Sequence, residues 1–202
     1  VYKRQKLYIV CNIMSSREER FKMKFVQPIR DKEVLEQFKK ELMKISYRDY
    51  MMFVIGINTG LRIGDLLSLK VEDVRARTHI IITEQKTGKY KRFLINDMLR
   101  MEINKYIDGM RQEEYLFKSR KGDKPISRVQ AYRILNKVAA KLGIEEVGSH
   151  TLRKTFSYFH YQQYKDVAIL QSILNHSSPS VTLKYIGINQ DINDETIKGF
   201  YL

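Results

Sequence analysis

The segment YRDYMMFVIGINTG, residues 47–60, is apolar on nearly all of its faces. A helix with that pattern has no polar side for water, so it must lie inside the protein with other elements packed around it. Gly60 is typical of a helix end, because glycine adopts a left-handed conformation there at no steric cost. The sequence therefore predicts a buried central helix that ends at Gly60.

Amphipathic helices are predicted on both sides of this segment. Asp31 can cap a helix whose apolar residues recur at helical spacing, and GDLLSL, residues 64–69, predicts a short helix directly after Gly60. The apolar stripe of the first of these helices is formed by Val34, Leu35, Phe38, Leu42 and Ile45.

Helical spacing returns in the second half of the chain, over residues 97–109, 127–142, 149–163 and 166–175. A last short turn of helix should begin at Pro179 after Ser178, since proline is tolerated at the first helical position. In the helix over 127–142, we expect these residues to face inward: Tyr132, Leu135, Val138, Ala139 and Leu142.

The stretch THIIITEQKTGKYKRFLI, residues 78–95, differs from its surroundings. Two runs of β-branched and aromatic residues flank a turn that contains glycine, which is a hairpin signal. The predicted fold class is therefore mostly α with a small antiparallel β-sheet (α+β).

The composition narrows the classes of function. The chain has 202 residues and a net charge of +14, an excess that commonly indicates a polyanionic partner such as nucleic acid. One cysteine excludes an intramolecular disulfide and favours a reducing compartment, which we expect to be the cytoplasm. No apolar run approaches the ~20 residues of a membrane span, so no membrane partner is expected.

Two short motifs place arginines where anions bind. SHTLRKTF, residues 149–156, puts His150 and Arg153 on one face at a predicted helix start, next to free backbone amides. Arg62 follows the buried helix and must find a partner or a groove, and Asp65 can orient it or a nearby group. Taken alone, each motif is also explained by a helix cap or an exposed ion pair.

The predicted hairpin carries four basic residues near its tip, Lys86, Lys89, Lys91 and Arg92. Such residues track a nucleic-acid backbone or lie in water, and a lysine at a mobile tip can also deliver a proton. Near the C-terminus, LNHSSPSVTLKYIGI, residues 174–188, places Tyr185 nine residues after His176. On its own, that tyrosine is better explained as core packing.

The ordered set of these motifs resembles the catalytic domain of the tyrosine recombinase, or phage integrase, family. The order is Arg-x-x-Asp, Lys-Thr-Gly-Lys on a hairpin, His-x-x-Arg, and a histidine followed by a tyrosine, and it runs from about Asp31 to the end of the chain. The variations are small: LNH stands where many members have Leu-Gly-His, and Asp65 where many have glutamate.

The resemblance implies a DNA-cleaving and DNA-rejoining enzyme with a 3′-phosphotyrosyl intermediate. Tyr185 would be the nucleophile and His150 its base, with Arg62 and Arg153 on the phosphate oxygens. Lys86 would protonate the departing 5′-oxygen, with Lys89 as the alternative. His176 would bind the phosphate or hold the pocket, and Asp65 would support the cluster; Lys89, Lys91 and Arg92 would bind DNA.

The same resemblance implies no metal and no cofactor, because the phosphotyrosine keeps the bond energy for rejoining. The implied role is integration or excision of a bacterial mobile element by a homo-tetramer on double-stranded DNA, with possible accessory DNA-bending proteins. Two other interpretations stay open: a type IB topoisomerase-like enzyme that nicks and reseals one strand, and a DNA-binding module that does not cut.

Three regions are expected along the chain. Residues 1–30 form a basic linker or arm from a missing N-terminal DNA-binding domain, and residues 31–202 form the catalytic domain. Within it, residues 187–202 form a tail that docks on a neighbouring protomer or on its own domain.

Overall fold

The computed structural model describes residues 26–145, 147–148, 150–187 and 197–201. Most of the expected arm (1–25) and most of the expected tail (188–196 and 202) lie outside these residues. The helices are α1 Lys32–Ile45, α2 Tyr47–Thr59, α3 Ile63–Leu67, α4 Asp97–Tyr106, α5 Arg128–Lys141, α6 Thr151–Tyr164, α7 Val167–Leu174 and α8 Pro179–Tyr185. The strands are β1 His79–Thr83 and β2 Tyr90–Leu94, and a 3₁₀ turn spans Val71–Asp73.

Helix α2 is the centre of the fold, as its apolar sequence predicts. It packs against α1, α4 and α6. The Phe38 and Phe53 rings of α1 and α2 stack with their centroids 4.8 Å apart. Gly60 ends α2 with φ +66°, and a Cβ at this position would lie 2.4 Å from the Phe156 ring. Glycine is therefore required here both by the backbone conformation and by the close approach of α6.

The predicted hairpin is present between α3 and α4. Strands β1 and β2 are antiparallel, with His79 opposite Leu94 and Thr83 opposite Tyr90. Ile80 and Phe93 face each other and are buried, whereas Ile81 on the other face is half exposed. This alternation fixes the register, because a shift by one residue would expose both apolar side chains to water. The expected class, mostly α with a small antiparallel sheet, is confirmed.

Two expected core positions were wrong. Ile45 is 39% exposed because it is the last residue of α1, where the chain turns at extended Ser46 into α2. Tyr132 is 47% exposed because the buried stripe of α5 runs through Ala131, one residue earlier. An alanine that packs closely against a neighbour carries no sequence signal that separates it from a surface alanine.

The helix expected over 97–109 ends earlier, at Tyr106. The Arg75 side chain donates to the carbonyl oxygens of Ile107 and Met110, at 3.0 Å and 2.6 Å. These bonds satisfy carbonyls that a continued helix would use itself. A distant arginine therefore helps to set the end of α4, which local spacing does not reveal.

The C-terminal segment, residues 166–187, has a small core of its own. Leu170, Leu174 and Ile186 are fully buried and pack with Phe156 and Leu183. The much larger core around α2 is a separate cluster. The segment therefore rests on the outer side of α6 and contributes little to the main core. None of the described helices is long and apolar enough to cross a membrane.

Candidate active site

Tyr185 and His150 come together although they are 35 residues apart. Tyr185 is the last residue of α8 and His150 precedes the first residue of α6. The Tyr185 hydroxyl lies 3.4 Å from His150 Nδ1, and the two rings are nearly perpendicular. The His150 side chain makes no capping bond to α6. Its function as a helix cap, the simpler explanation of the motif, is therefore not what the structure shows.

Arg153 is almost fully buried, with 3% of its surface exposed. Its Nη1 donates to the carbonyl of Gly60 at 2.6 Å, and its Nη2 donates to the carbonyl of Leu174 at 2.7 Å. Each carbonyl lies at the C-terminal end of a helix, where unpaired oxygens carry partial negative charge. Arg153 thus joins the end of α2 to the end of α7 and holds its charge beside Tyr185.

Arg62 is paired with Glu84 and not with Asp65. Its Nη1 contacts Glu84 Oε1, and the Glu84 carboxylate is 1% exposed. Glu84 also accepts a bond from the Thr87 hydroxyl at 2.6 Å. Burial alone would raise the pKa of Glu84, but the Thr87 hydroxyl and the Arg62 charge outweigh it and hold that pKa below its usual value. Glu84 is therefore a buried anion that fixes Arg62.

Asp65 supports the hairpin instead. It is 3% exposed, and its Oδ1 accepts the backbone N–H of Gln85 at 3.0 Å. Its Oδ2 is buried and has no hydrogen-bond partner among the described residues. Of the two roles expected for Asp65, the structure shows contact with a nearby group, the hairpin backbone, whereas Arg62 is paired with Glu84.

Lys86 lies beside a basic pocket of about 380 Å³. The ionisable residues of its lining are Arg62, Asp65, Lys86, Arg128 and His150. Cationic groups outnumber the single carboxylate, so the pocket favours an anion. Its size and charge suit a phosphodiester.

The other basic residues of the hairpin are engaged elsewhere. Lys89 Nζ donates to Asn175 Oδ1 at 2.9 Å, and Lys91 Nζ donates to the carbonyl of Ser172 at 2.8 Å. Arg92 lies against His79 on the exposed side of the strands. Lys89 and Lys91 therefore connect the hairpin to the end of α7, whereas Lys86 points to the pocket.

His176 is held by the helix that carries Tyr185. Its Nδ1 lies 3.0 Å from the hydroxyl of the buried Thr182, three residues before Tyr185 on α8. The His176 and Tyr185 rings are 5.0 Å apart and edge to face. Lys154 Nζ also lies 5.0 Å from the Tyr185 ring centroid. The tyrosine ring is thus surrounded by two histidines and two cationic side chains.

The pKa shifts set the protonation states from which a transfer from Tyr185 to His150 would start, although they make the transfer itself less favourable. Burial raises the pKa of Tyr185 to about 12, although Arg153 and Arg62 oppose this. Burial and then the charges of Arg153 and Lys154 lower the pKa of His150. The phenol is therefore protonated and His150 is neutral near pH 7, so that His150 can accept a proton. Burial, followed by Arg153 and Arg62, lowers the pKa of His176 to about 4.

The structure adds residues that the sequence did not indicate. Glu84, Gln85 and Arg128 all belong to the site, yet none lies in a recognised motif. Glu84 was the one with a signal, because an acidic residue that ends an apolar strand must find a cation if it is buried. Across the part of the chain that the structure describes, no group of three or more histidine, cysteine, aspartate or glutamate side chains could hold a metal ion.

The chain is similar to known proteins along most of its length. The sequence pattern of the phage integrase family matches residues 29–191. The chain is 52% identical to the "Probable integrase/recombinase YoeC" of Bacillus subtilis strain 168 over 178 residues, which are 88% of this chain and 98% of that protein.

More distant relatives are longer proteins. Identity to the "Tyrosine recombinase XerA" of Pyrococcus furiosus is 28%, over 89% of this chain and 65% of that protein. A crystal structure of the XerH site-specific recombinase bound to its difH substrate, a pre-cleavage complex, superposes with a TM-score of 0.65 at 21% identity. That match covers 88% of this chain and 55% of XerH, so the chain spans between about half and two thirds of these two proteins.

Proposed function

Because the chain belongs to the phage integrase family and is a tyrosine recombinase by sequence relationship, we propose that Tyr185 is its nucleophile, attacking a phosphodiester of double-stranded DNA. A bond forms between the phenolic oxygen and phosphorus, the bond to the 5′-oxygen breaks, and a 3′-phosphotyrosyl link results. The observation that carries this assignment is the approach of the Tyr185 hydroxyl to within 3.4 Å of His150 Nδ1, beside the buried Arg153.

The proton of the phenol passes to His150. A phenol with a pKa of about 12 is a poor nucleophile until it loses that proton. The His150 ring is kept neutral by burial and by its cationic neighbours, so one ring nitrogen is available as acceptor. Hydrogen bonds of this kind are commonly long before the substrate binds, and 3.4 Å fits that state.

Arg62 and Arg153 bind the non-bridging oxygens of the phosphate. Negative charge accumulates on these oxygens in the transition state, and fixed donors stabilise it without reorganising. Both guanidinium groups are anchored by protein acceptors, Arg62 by Glu84 and Arg153 by two carbonyls. His176, which Thr182 orients, adds a hydrogen bond to the phosphate or holds the pocket closed.

Lys86 donates the proton that the departing 5′-oxygen needs. It lines the same pocket as Arg62 and His150, and its charge acts on His150. Lys89 is a poorer candidate, because its ammonium group is bonded to Asn175. Lys89, Lys91 and Arg92 contribute to DNA binding on the hairpin face.

The biological role that we propose is integration or excision of a mobile element. The relative with 52% identity is named a probable integrase/recombinase. We further propose that residues 1–30 are a basic linker or arm, and that four copies assemble on DNA with residues 187–202 docked on a neighbour or on their own domain.

The test is covalent trapping without metal. The chain is incubated in a chelator with labelled duplexes that carry a randomised core and a nick, so that a short 5′-hydroxyl fragment diffuses away after cleavage. Protein–DNA adducts are isolated under denaturing conditions and sequenced. We expect adducts from the unmodified chain, none from Tyr185→Phe, and undiminished adducts from Tyr164→Phe, a tyrosine exposed on α6.

Other outcomes would separate the remaining interpretations. DNA binding without any adduct would favour a module that does not cut. Adducts together with relaxation of supercoiled plasmid, but without strand exchange between two selected duplexes, would favour a topoisomerase-like enzyme.

A further inference from the structure

Gln85, the residue before Lys86, is held both by its main chain and by its side chain. Its N–H donates to Asp65 Oδ1 at 3.0 Å, and its Oε1 accepts from Arg128 Nη2 at 2.9 Å. Asp65 belongs to α3, and Arg128 is the first residue of α5. Two helices that are far apart in the sequence therefore meet at this one residue of the hairpin.

Arg128 is also placed by the shape of α3. A Cβ at Gly64 would lie 2.6 Å from Arg128 Nη2 and 2.9 Å from its Cζ and Nε. Since carbon atoms do not approach nitrogen so closely, a side chain at position 64 would displace the guanidinium, the flexible end of Arg128, from its place across α3. Gly64 thus leaves room for the exposed Arg128 side chain, and the hydrogen bond to Gln85 holds it there.

Lys86 has no such support of its own. Within the described residues, its Nζ takes part in no hydrogen bond and in no ion pair. A lysine side chain with four rotatable bonds is then directed mainly by the backbone that carries it. The position of that backbone depends on the neighbours, Gln85 on one side and Thr87 on the other.

We infer that Arg128 and Gln85 are positioning residues for the proton donor of the cleavage reaction. Arg128 holds Gln85, Gln85 holds the backbone next to Lys86, and Lys86 reaches the departing 5′-oxygen. This inference rests on the proposed function, because it requires Lys86 to be the donor. Arg128 and Gln85 lie outside the family motifs. They should affect only one step, the departure of the 5′-oxygen.

Loss of the pair should therefore slow cleavage without abolishing it. Removing a general acid typically costs ~100- to ~10,000-fold in rate. Misdirecting a donor that is still present should cost less, and we expect about 10- to 100-fold for Arg128→Ala and for Gln85→Ala. The two losses should not add in the double variant, since both act through one contact.

A substrate with a sulfur leaving group tests this directly. A duplex of the sequence selected by covalent trapping is made with a 5′-bridging sulfur at the cleaved bond. A thiol has a pKa near ~8.5, so the thiolate departs without a proton donor. We expect Lys86→Ala, Arg128→Ala and Gln85→Ala all to be slow on ordinary DNA and to approach the rate of the unmodified chain on the sulfur-containing DNA.

The matched control is Arg133→Ala, which removes another exposed arginine from α5. Its ratio of rates on the two DNAs should equal that of the unmodified chain, whatever its effect on DNA binding. If Lys86→Ala is rescued but Arg128→Ala and Gln85→Ala are equally slow on both DNAs, or are not slow at all, the pair does not act through the donor and the inference is overturned.

Failure of the proposed function has a different signature. If Lys86→Ala is not rescued by the sulfur, Lys86 is not the donor, and both the assignment and the inference fall. If the unmodified chain forms no adduct that depends on Tyr185, the proposed chemistry itself is wrong.

Discussion

The main body and the C-terminal segment contribute to the site in different ways. Arg62, Glu84 and Arg153 are set in or against the large core around α2, and two of them are almost fully buried. His176 and Tyr185 belong to a segment whose own core consists of three fully buried side chains. The groups proposed to bind the phosphate are thus set mainly against the large core, whereas the proposed nucleophile, Tyr185, rests on a segment with few buried apolar side chains.

This difference indicates that the C-terminal segment opens more easily than the main body. Stability is not uniform within a protein, and segments with few buried apolar contacts open at lower free energy than the core. Besides the packing on Phe156, the bonds across the boundary include that of Arg153 to the Leu174 carbonyl and those of Lys89 and Lys91 to the end of α7. We expect those links to decide whether the tyrosine is in place for attack.

Arg153→Lys should give the largest effect, because Arg153 links the main body to the C-terminal segment. Lysine keeps the charge but lacks the planar fork that reaches the carbonyls of Gly60 and Leu174 together. We expect adduct formation to slow by ~100- to ~1000-fold, as when one preorganised donor is lost. The measurement is the single-turnover rate of covalent trapping.

The control for that change is Arg120→Lys, at an exposed position. It should leave the rate within a factor of two or so, since surface substitutions rarely matter. An Arg153→Lys rate close to that of the unmodified chain would mean that charge alone suffices and that the two carbonyl bonds are incidental.

Glu84→Gln should weaken the main body. It removes the charge from a carboxylate that is 1% exposed and leaves Arg62 without its anion. Breaking one partner of a buried pair costs ~3 kcal/mol, and we expect a loss of about that size in the free energy of unfolding, measured with urea. Glu113→Gln is the matched control, since its pair with Arg111 is exposed on both sides and should contribute little.

Leu174→Ala should lower the stability of the C-terminal segment without lowering that of the main body. Truncation of a buried leucine costs ~2–5 kcal/mol, but here the loss falls on the small C-terminal core. We expect hydrogen exchange to speed up over residues 166–187 and not in α2. Leu42→Ala, in the large core, should instead speed up exchange in both regions. Equal behaviour of the two variants would mean that the segment and the body unfold as one unit.

The pH dependence should be the smallest effect. His176 has a pKa of about 4 in the folded chain, mainly through burial, against ~6.5 when unfolded. As pH falls from 6.5 towards 4, the unfolded chain binds a proton that the folded chain does not. The free energy of unfolding should then decrease by at most ~1.4 kcal/mol per pH unit from this residue, a contribution that fades as pH rises above 6.5.

Urea unfolding at pH 7.5, 6.5 and 5.5 measures that slope. The pKa values of His150 and His160 are also lowered, so they add slopes of the same sign. His176→Gln should remove its own part and leave the rest. An unchanged slope in this variant would show that His176 does not carry the effect.

Local sequence patterns predicted what is local in this fold. The central helix, the hairpin and the capping residues Asp31 and Ser178 all followed from apolar spacing and from side chains that bond nearby amides. The order of the motifs also identified the family. These features depend on residues within a few positions of one another, which a single sequence displays.

Pairings over long distances could not be predicted in the same way. Two such pairs are Glu84 with Arg62, 22 positions apart, and Gln85 with Arg128, 43 positions apart. No local sequence pattern indicates either partner. Asp65 illustrates this, because a carboxylate three residues away is the obvious partner for Arg62, whereas the partner in the structure is Glu84, which follows strand β1. The exposed Tyr132 shows the same limit within α5, where neighbouring helices select the buried face.

The two arginines also differ in how they can change over time. Arg62 depends on a side chain, so one nucleotide change in the codon of Glu84 can remove its partner. Arg153 depends on the main-chain carbonyls of positions 60 and 174, which every amino acid possesses. Sequence drift at Leu174 can therefore weaken the packing of the segment but cannot delete the acceptor. A mutation can therefore remove the acceptors of Arg153 only by moving the backbone, whereas it can remove the acceptor of Arg62 by replacing a side chain.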